Sequence, residues 1–463
     1  MTLRLLQAQL DAVEASMPFG VVGQVQGVAG MTIEATDLPL ALGSLCRISS
    51  FGGNQTAAEV IGFRDDRTIL MPLAPTAGVA RGDRIENVTS TPRIWCSNQL
   101  LGRVLNGFGQ PIDGKGELHF CQSRRIDGKG AAPMQREPIR SPISTGMRAI
   151  DALLTCGLGQ RMGIFSGPGV GKSTLLASIA RQTSAEISVV ALIGERAREV
   201  QDFIKHGLGE EGLKRCVVVA STSDEPPLLR VRAARVACTV AEYFRDAGRH
   251  VLLMMDSLTR LAQGQRQIGL SVREPPATKG FPPSVFALLP EILERAGKTA
   301  VGSITGFYTV LVEGDDFNEP IADAVKGISD GHLWLSRSLS NRGHFPAIDV
   351  LQSISRVRDD VTDAEQARAA RRLLSLTAVY QDIEDLVNIG AYVPGASVEY
   401  DLAVQTRPKI TEFLRQEAAS PTPLDKARRM AIDLAAWTEG LEKALKAQAA
   451  KQSARAAAPA GKG

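Results

Sequence analysis

Between Val21 and Val88 the chain alternates apolar and polar positions in short runs, "GQVQGVAGMTIEAT", "LGSLCRIS", "AEVIGF" and "TILMPL", broken by Gly, Asp and Asn. A period of two with turn residues at close intervals predicts half-buried strands, here a small all-β barrel over residues 21–90. The pattern then loosens. Over 91–147, "LLGRVLNGFGQPIDGKGEL" and "REPIRSPISTGM" are rich in Gly and Pro, which predicts a connector with no long helix.

From about Arg148 to Asp349 near-continuous apolar runs ("RMGIF", "EISVVALIG", "RCVVVAS", "HVLLMMDS", "AVGSITGFYTVL") alternate with helical stretches such as "AREVQDFIKHGL", "PPLLRVRAARVACTVAEYFRDAG" and "SVFALLPEILERAG". Strands that are apolar on both faces, with helices between them, imply a parallel sheet covered on both sides. With the connector this makes an α/β domain over 91–360. Next, "TDAEQARAARRLLSLTAVYQDIEDLVNIG" and "PLDKARRMAIDLAAWTEGLEKALKAQ" have helical spacing, the first opening at Thr362 or Asp363, and predict an all-α domain over 361–448. Residues 449–463 are small and polar, as in a loose tail. At the other end, Leu3, Leu6, Leu10, Val13 and Met17 draw an apolar seam along a helix over 1–20. That seam either docks a partner helix or packs on its own domain.

Composition narrows the function. The 463 residues carry 53 Lys plus Arg against 50 Asp plus Glu, a net charge of +3, which argues against a broad electrostatic surface for nucleic acid. Cysteines 46, 96, 121, 156, 216 and 238 form no C-x-x-C pair and do not combine with the five histidines at metal-ligand spacing. Neither a disulfide framework nor a zinc site is expected. The N-terminus lacks the apolar core and cleavage site of a secretory signal, and no apolar run approaches the ~18 residues of a membrane span. A cytoplasmic protein is the expectation.

The stretch "GIFSGPGVGKSTLL" carries the chemistry: an apolar strand, a glycine loop, then a helix. Backbone N–H groups at such a helix start point at phosphate oxygens. Gly167, Gly169 and Gly171 permit positive φ and close approach, Lys172 reaches the β and γ phosphates, and Ser173 offers a hydroxyl to Mg²⁺. The strict pattern G-x-x-x-x-G-K-[ST] asks for glycine where this chain has Ser166. Asp256 ends the strand "HVLLMMDS" and is the candidate metal-supporting carboxylate. Glu195 and Arg196 end another strand in "LIGERARE"; Glu195 is the candidate general base, although alone the two would read as a surface ion pair.

Together "GPGVGKST", "IGERARE", "MMDSLTR", "FPPSVFALLPEILERAG", "GSITGFYTVLVEGDDFNEPIAD", "DGHLWLSR" and "GHFPAIDVLQSISR" resemble the hexameric ATPases related to the catalytic subunit of rotary ATP synthases. More narrowly they resemble the type III protein-export ATPases, and within those the flagellar one. The resemblance spans about residues 20–440 and implies a RecA-like P-loop core between a β-barrel and a helical domain. It assigns Gly167, Pro168, Gly169, Val170, Gly171, Lys172, Ser173 and Thr174 to the phosphates of ATP, with Mg²⁺ at Ser173 and Asp256. Glu195, beside Arg196, polarises the attacking water. Arg356, which alone would read as a structural salt bridge, becomes an arginine finger for the neighbouring subunit. Phe345 stacks on adenine or is a core residue, and Arg273 is a further phosphate sensor in a loop that faces a central channel or is a plain surface turn.

The implied partners are identical subunits in a homohexamer, a stator-like regulatory protein at the N-terminal helix, export-gate and stalk proteins, and chaperone–cargo complexes. The implied location is peripheral, at the inner face of the cytoplasmic membrane. Alternatives are a virulence (injectisome) export ATPase, a rotary ATP synthase subunit, and an RNA-translocating ring. The last is disfavoured because residues 21–88 hold only Phe51 and Phe63 as aromatic platforms.

Overall fold

Alternation in the first domain closes on itself. In the computed structural model, which describes residues 20–457 apart from 120, 313, 315, 317 and 318, six antiparallel strands form a barrel. They are β1 (Val22–Ala29), β2 (Thr32–Thr36), β3 (Leu45–Ser49), β4 (Gln55–Arg64), β5 (Arg67–Pro72) and β6 (Arg84–Thr89), in the order β1-β2-β5-β4-β3-β6 with β6 returning to β1. Every second side chain points inward, so Val25, Ile33, Ile48, Val60, Leu70 and Ile85 fill the interior. Phe51 and Phe63 stay on the outside.

The central domain is a nine-stranded sheet. Its main path is built from β7 (Val104–Leu105), β8 (Arg161–Ser166), β9 (Ile187–Glu195), β10 (Cys216–Thr222), β11 (His250–Asp256), β12 (Ser303–Leu311), β13 (Gly331–Leu335) and β14 (Ile348–Ser355), and the two-residue strand Gly297–Lys298 pairs with β12. The order is β14-β13-β8-β12-β11-β9-β10-β7, with every neighbouring pair parallel except β13 with β14. Successive residues serve opposite faces: Val189, Ala191 and Ile193 join one buried cluster, Val190 and Leu192 the other. Both faces are covered, which is why these strands read as unbroken apolar runs. Helix α1 (Lys172–Gln182) contributes Leu175, Leu176 and Ile179 to one face. Helix α2 (Pro227–Asp246) contributes Val231, Ala234 and Val240 to the other, and α3 (Leu258–Ser271) lies beside it.

Arg232 of α2 meets Glu59 of β4 at 3.1 Å and so ties the barrel to the central domain. Burial raises the Glu59 carboxyl against the pull of that guanidinium, and burial lowers Arg232. The connector contains, among the described residues, only two 3₁₀ turns and short strands, as expected from its Gly and Pro content.

The third domain packs α4 (Ala364–Asn388), α5 (Val398–Leu414) and α6 (Leu424–Ala457) on one another. Asp363 caps α4, its carboxylate accepting the Gln366 N–H at 2.9 Å. Two sequence expectations need correction. Helix α6 continues to Ala457, so the tail expected from 449 lies largely within a helix whose Ala-rich composition sustains it. Strands β7, β13 and β14 were absent from the expected set. The seam at Leu3–Met17 lies outside the described residues.

Candidate active site

The carboxyl ends of the parallel strands gather one cluster of charge. Strand β8 ends at Ser166, and the loop that follows turns through Gly169 (φ +79°) and Gly171 (φ +89°) into α1. Both angles lie where a Cβ is unfavourable, so glycine is required at these positions. Ser166 is different: it is still a strand residue, paired with Leu311 and Leu335, and it needs no positive φ. The departure from the strict phosphate-loop pattern is therefore harmless.

Lys172, the first residue of α1, ion-pairs with Asp256 at the end of β11, and its Nζ is 3.9 Å from Glu195 Oε1 at the end of β9. Thr309 of β12, the strand between β8 and β11, donates its hydroxyl to Asp256 at 2.7 Å. Glu195 is pushed up to about 7, first by burial and then by the negative charge of Asp256, with Lys172 opposing both. Its Oε1 is buried and has no hydrogen-bond partner among the described residues. A cleft of about 380 Å³ opens here, lined by Ser173, Thr174, Glu195 and Asp256 and, further out, by Glu199 and His206.

A second pocket of about 270 Å³ lies on the other side of the loop, between Val170, Gly171, Phe345 and Gln416. Phe345 is 47% exposed, and a Cβ on Gly171 would stand 3.4 Å from its ring. It is not a core residue; it forms a wall beside the phosphate loop. Its carbonyl accepts the backbone N–H of Gln416 at 2.9 Å.

The other expected site residues stand apart. Arg196 is 81% exposed and pairs with Glu199 at 3.7 Å, the surface ion pair that the sequence left open. Arg273 follows the end of α3, whose 14 residues rise about 20 Å from a start next to Asp256. It is exposed and lies outside this cluster. Arg356 follows β14. Because β14 runs antiparallel, Ser355 sits opposite Gly331, whereas the phosphate loop leaves the sheet at the level of Leu335. The four steps along β13 between those levels amount to about 13 Å. Arg356 is therefore at the opposite end of the strands from its own phosphate loop. Its side chain is exposed, has no hydrogen bond or ion pair to a described residue, and lies close enough to His332 to help lower that imidazole.

Three contributors escaped the sequence reading. Thr309 holds Asp256, and Gln416 reaches the pocket beside Phe345 from the helical domain. Arg260, four residues after Asp256 in "MMDSLTR", packs against Gly194 beside Glu195, with its Nε buried and unpartnered. The i to i+4 spacing from Asp256 was the available signal for Arg260. Thr309 and Gln416 had none, because each reaches the site through the tertiary fold.

Family models match three stretches: the ATP synthase alpha/beta family β-barrel domain over 20–88, its nucleotide-binding domain over 146–355, and the T3SS EscN ATPase C-terminal domain over 362–430. The flagellum-specific ATP synthase of Bacillus subtilis is 47% identical, covering 91% of this chain and 97% of that protein. The SPI-2 type 3 secretion system ATPase of Salmonella typhimurium is also 47% identical, over 85% and 90%. The chain belongs to the flagellar and type III secretion ATPases. Among solved structures, the assembled ATPase EscN in complex with its central stalk EscO, from the enteropathogenic E. coli type III secretion system, superposes with a TM-score of 0.83 at 41% identity, covering 89% of this chain and 100% of that one. This family member is accordingly a P-loop ATP hydrolase.

The site fits the MgATP that membership in the family implies. The glycine cradle leaves room for phosphates, Glu195 Oε1 has unused capacity, and Ser173 and Asp256 supply the hard oxygens that Mg²⁺ prefers. Bound there, the metal would neutralise phosphate charge. Among the chain's own groups, Lys172 stands between the carboxylates of Asp256 and Glu195, and Thr309 holds Asp256 in place.

Proposed function

We propose that this chain energises a type III protein-export apparatus, hydrolysing MgATP at the subunit interfaces of a homohexamer to promote entry, chaperone release and unfolding of exported proteins. The observation that carries the interface is the placement of Arg356 at the opposite end of the strands from its own phosphate loop, with no anionic partner among the described residues. A guanidinium so placed acts in the neighbour's site, where charge spreads over the γ-phosphoryl oxygens in the transition state. One chain carries both Glu195 and Arg356, so identical copies complete every interface. Glu195 accepts the proton of the attacking water, and Phe345 stacks on adenine.

An exposed apolar turn between α4 and α5, with Leu386, Ile389 and Val393, supports contact with a central stalk like the one that accompanies the EscN structure. The N-terminal seam supports a stator-like partner. Export-gate proteins and chaperone–cargo complexes complete the proposed set, with no nucleic acid. No described helix is long and apolar enough to cross a membrane, in keeping with a cytoplasmic enzyme peripheral to it.

Identity does not separate the two branches, being 47% to a relative in each. The match to the EscN C-terminal model and the assembled EscN structure favours the injectisome branch over the flagellar one expected from the sequence. Deleting the gene decides between them. Loss of effector secretion with intact filaments supports the injectisome reading; loss of filament assembly supports the flagellar one; normal export through both removes the proposal.

A further inference from the structure

A third cavity, of about 220 Å³, lies between the central domain and the helical domain, behind Phe345. His344 lines it and is only 6% exposed, yet its ring has no hydrogen-bond partner among the described residues. The side chain as a whole is buried, but its ring nitrogens are not sealed off and stay open to solvent in the cavity, so they are available to an incoming group. The charges around it are uneven. Glu384 is committed to an ion pair with Arg342, and Asp349 accepts the backbone N–H groups of Leu351 and Gln352 at 3.0 and 3.1 Å. Arg407, by contrast, stacks on Tyr380 at 4.7 Å and has no acidic partner among the described residues. Burial, with Arg415 and Arg407 nearby, holds His344 down to about 4, so the ring is neutral at physiological pH and free to donate one N–H.

We infer that this cavity binds a small oxyanion, a phosphate or carboxylate group held by the Arg407 guanidinium and the His344 imidazole, as an effector site separate from the ATP site. Two forked donors on a planar guanidinium and one imidazole N–H suit such a group. Because His344 precedes Phe345, whose carbonyl is tied to Gln416, occupancy would alter the aromatic wall of the nucleotide pocket. That consequence rests on the ATP reading; the binding itself does not.

The chain has five histidines, which makes the imidazole carbons of the ¹³C-histidine-labelled full-length protein a direct probe. With MgADP saturating, inorganic phosphate and malonate are titrated separately. The expected result is a saturable shift at His344 with at least one anion, weakened tenfold or more in Arg407→Gln, while His206 in the catalytic cleft still responds to MgADP in both proteins. A response to phosphate alone assigns a phosphoryl ligand, and one to malonate alone a carboxylate. No shift at His344, or an equal shift in Arg407→Gln, overturns the proposal. Failure of His206 to respond to MgADP would instead count against the ATP site.

Discussion

Glu195 is a carboxyl poised near neutrality, and the sign of its pH dependence follows from its surroundings. Burial and the charge of Asp256 favour the protonated form, so the ionised form that the proposed general base requires is scarce below pH 7. The value of kcat/KM should therefore rise through about pH 7 and level off above it. Glu195→Gln should lose the limb together with turnover, by about 10²- to 10⁴-fold, while MgATP affinity stays within a few-fold. An unchanged limb in the variant would place the titration elsewhere. The same raised value means that Glu195 costs stability as pH climbs from about 4.5 to about 7, so the variant should be no less stable at pH 8. At this scale the sequence was legible where function resides in consecutive residues, as from Gly167 to Thr174. It was less so where a side chain's neighbours decide its role: within one chain Arg196 is exposed and paired with Glu199, and Arg273 follows the far end of α3, surroundings the sequence does not reveal.

Elements were legible in proportion to how one-sided their burial is. Strands β8 to β12 announce themselves because both faces are covered. Strand β14 lies at the sheet's edge, where "DVLQSIS" keeps Gln352 and Ile354 exposed and blurs the apolar run, and β13 beside it is only five residues long. The start of α4 was legible from its cap, and it can be tested. Asp363→Ala removes the acceptor for Gln366 N–H and an ion pair with Arg428, and should destabilise the helical domain by about 1 kcal/mol. Asp363→Asn should recover most of that. Urea unfolding followed by circular dichroism checks both, and equal midpoints for the Ala variant and the parent would remove the cap from the account. The far end of α6 was misjudged because alanine, small enough to suggest a loose tail, is also the best helix former.

At the scale of the molecule, the phosphate loop and Arg356 sit at opposite ends of the strands, the separation that the proposed head-to-tail contact of a closed ring requires. Glu195→Gln and Arg356→Ala proteins should each be nearly inactive alone. Mixed in equal amounts and reassembled, they should regain activity, because about a quarter of the interfaces then pair an intact glutamate with an intact arginine. Steady-state ATPase assays before and after mixing read this directly, and a mixture as silent as its components would deny that the site is shared. The three-domain plan was visible in the changing periods of the sequence. The direction of β14, which sends Arg356 outward, was not, since strand polarity is set by the connections between elements.

That reversal of a single edge strand has a consequence for economy in the cell. If Arg356 works in a neighbour's site, as proposed, a chain adrift in solution would hold nucleotide but lack the second half of its own catalyst, and fuel would be left unspent until copies stand side by side.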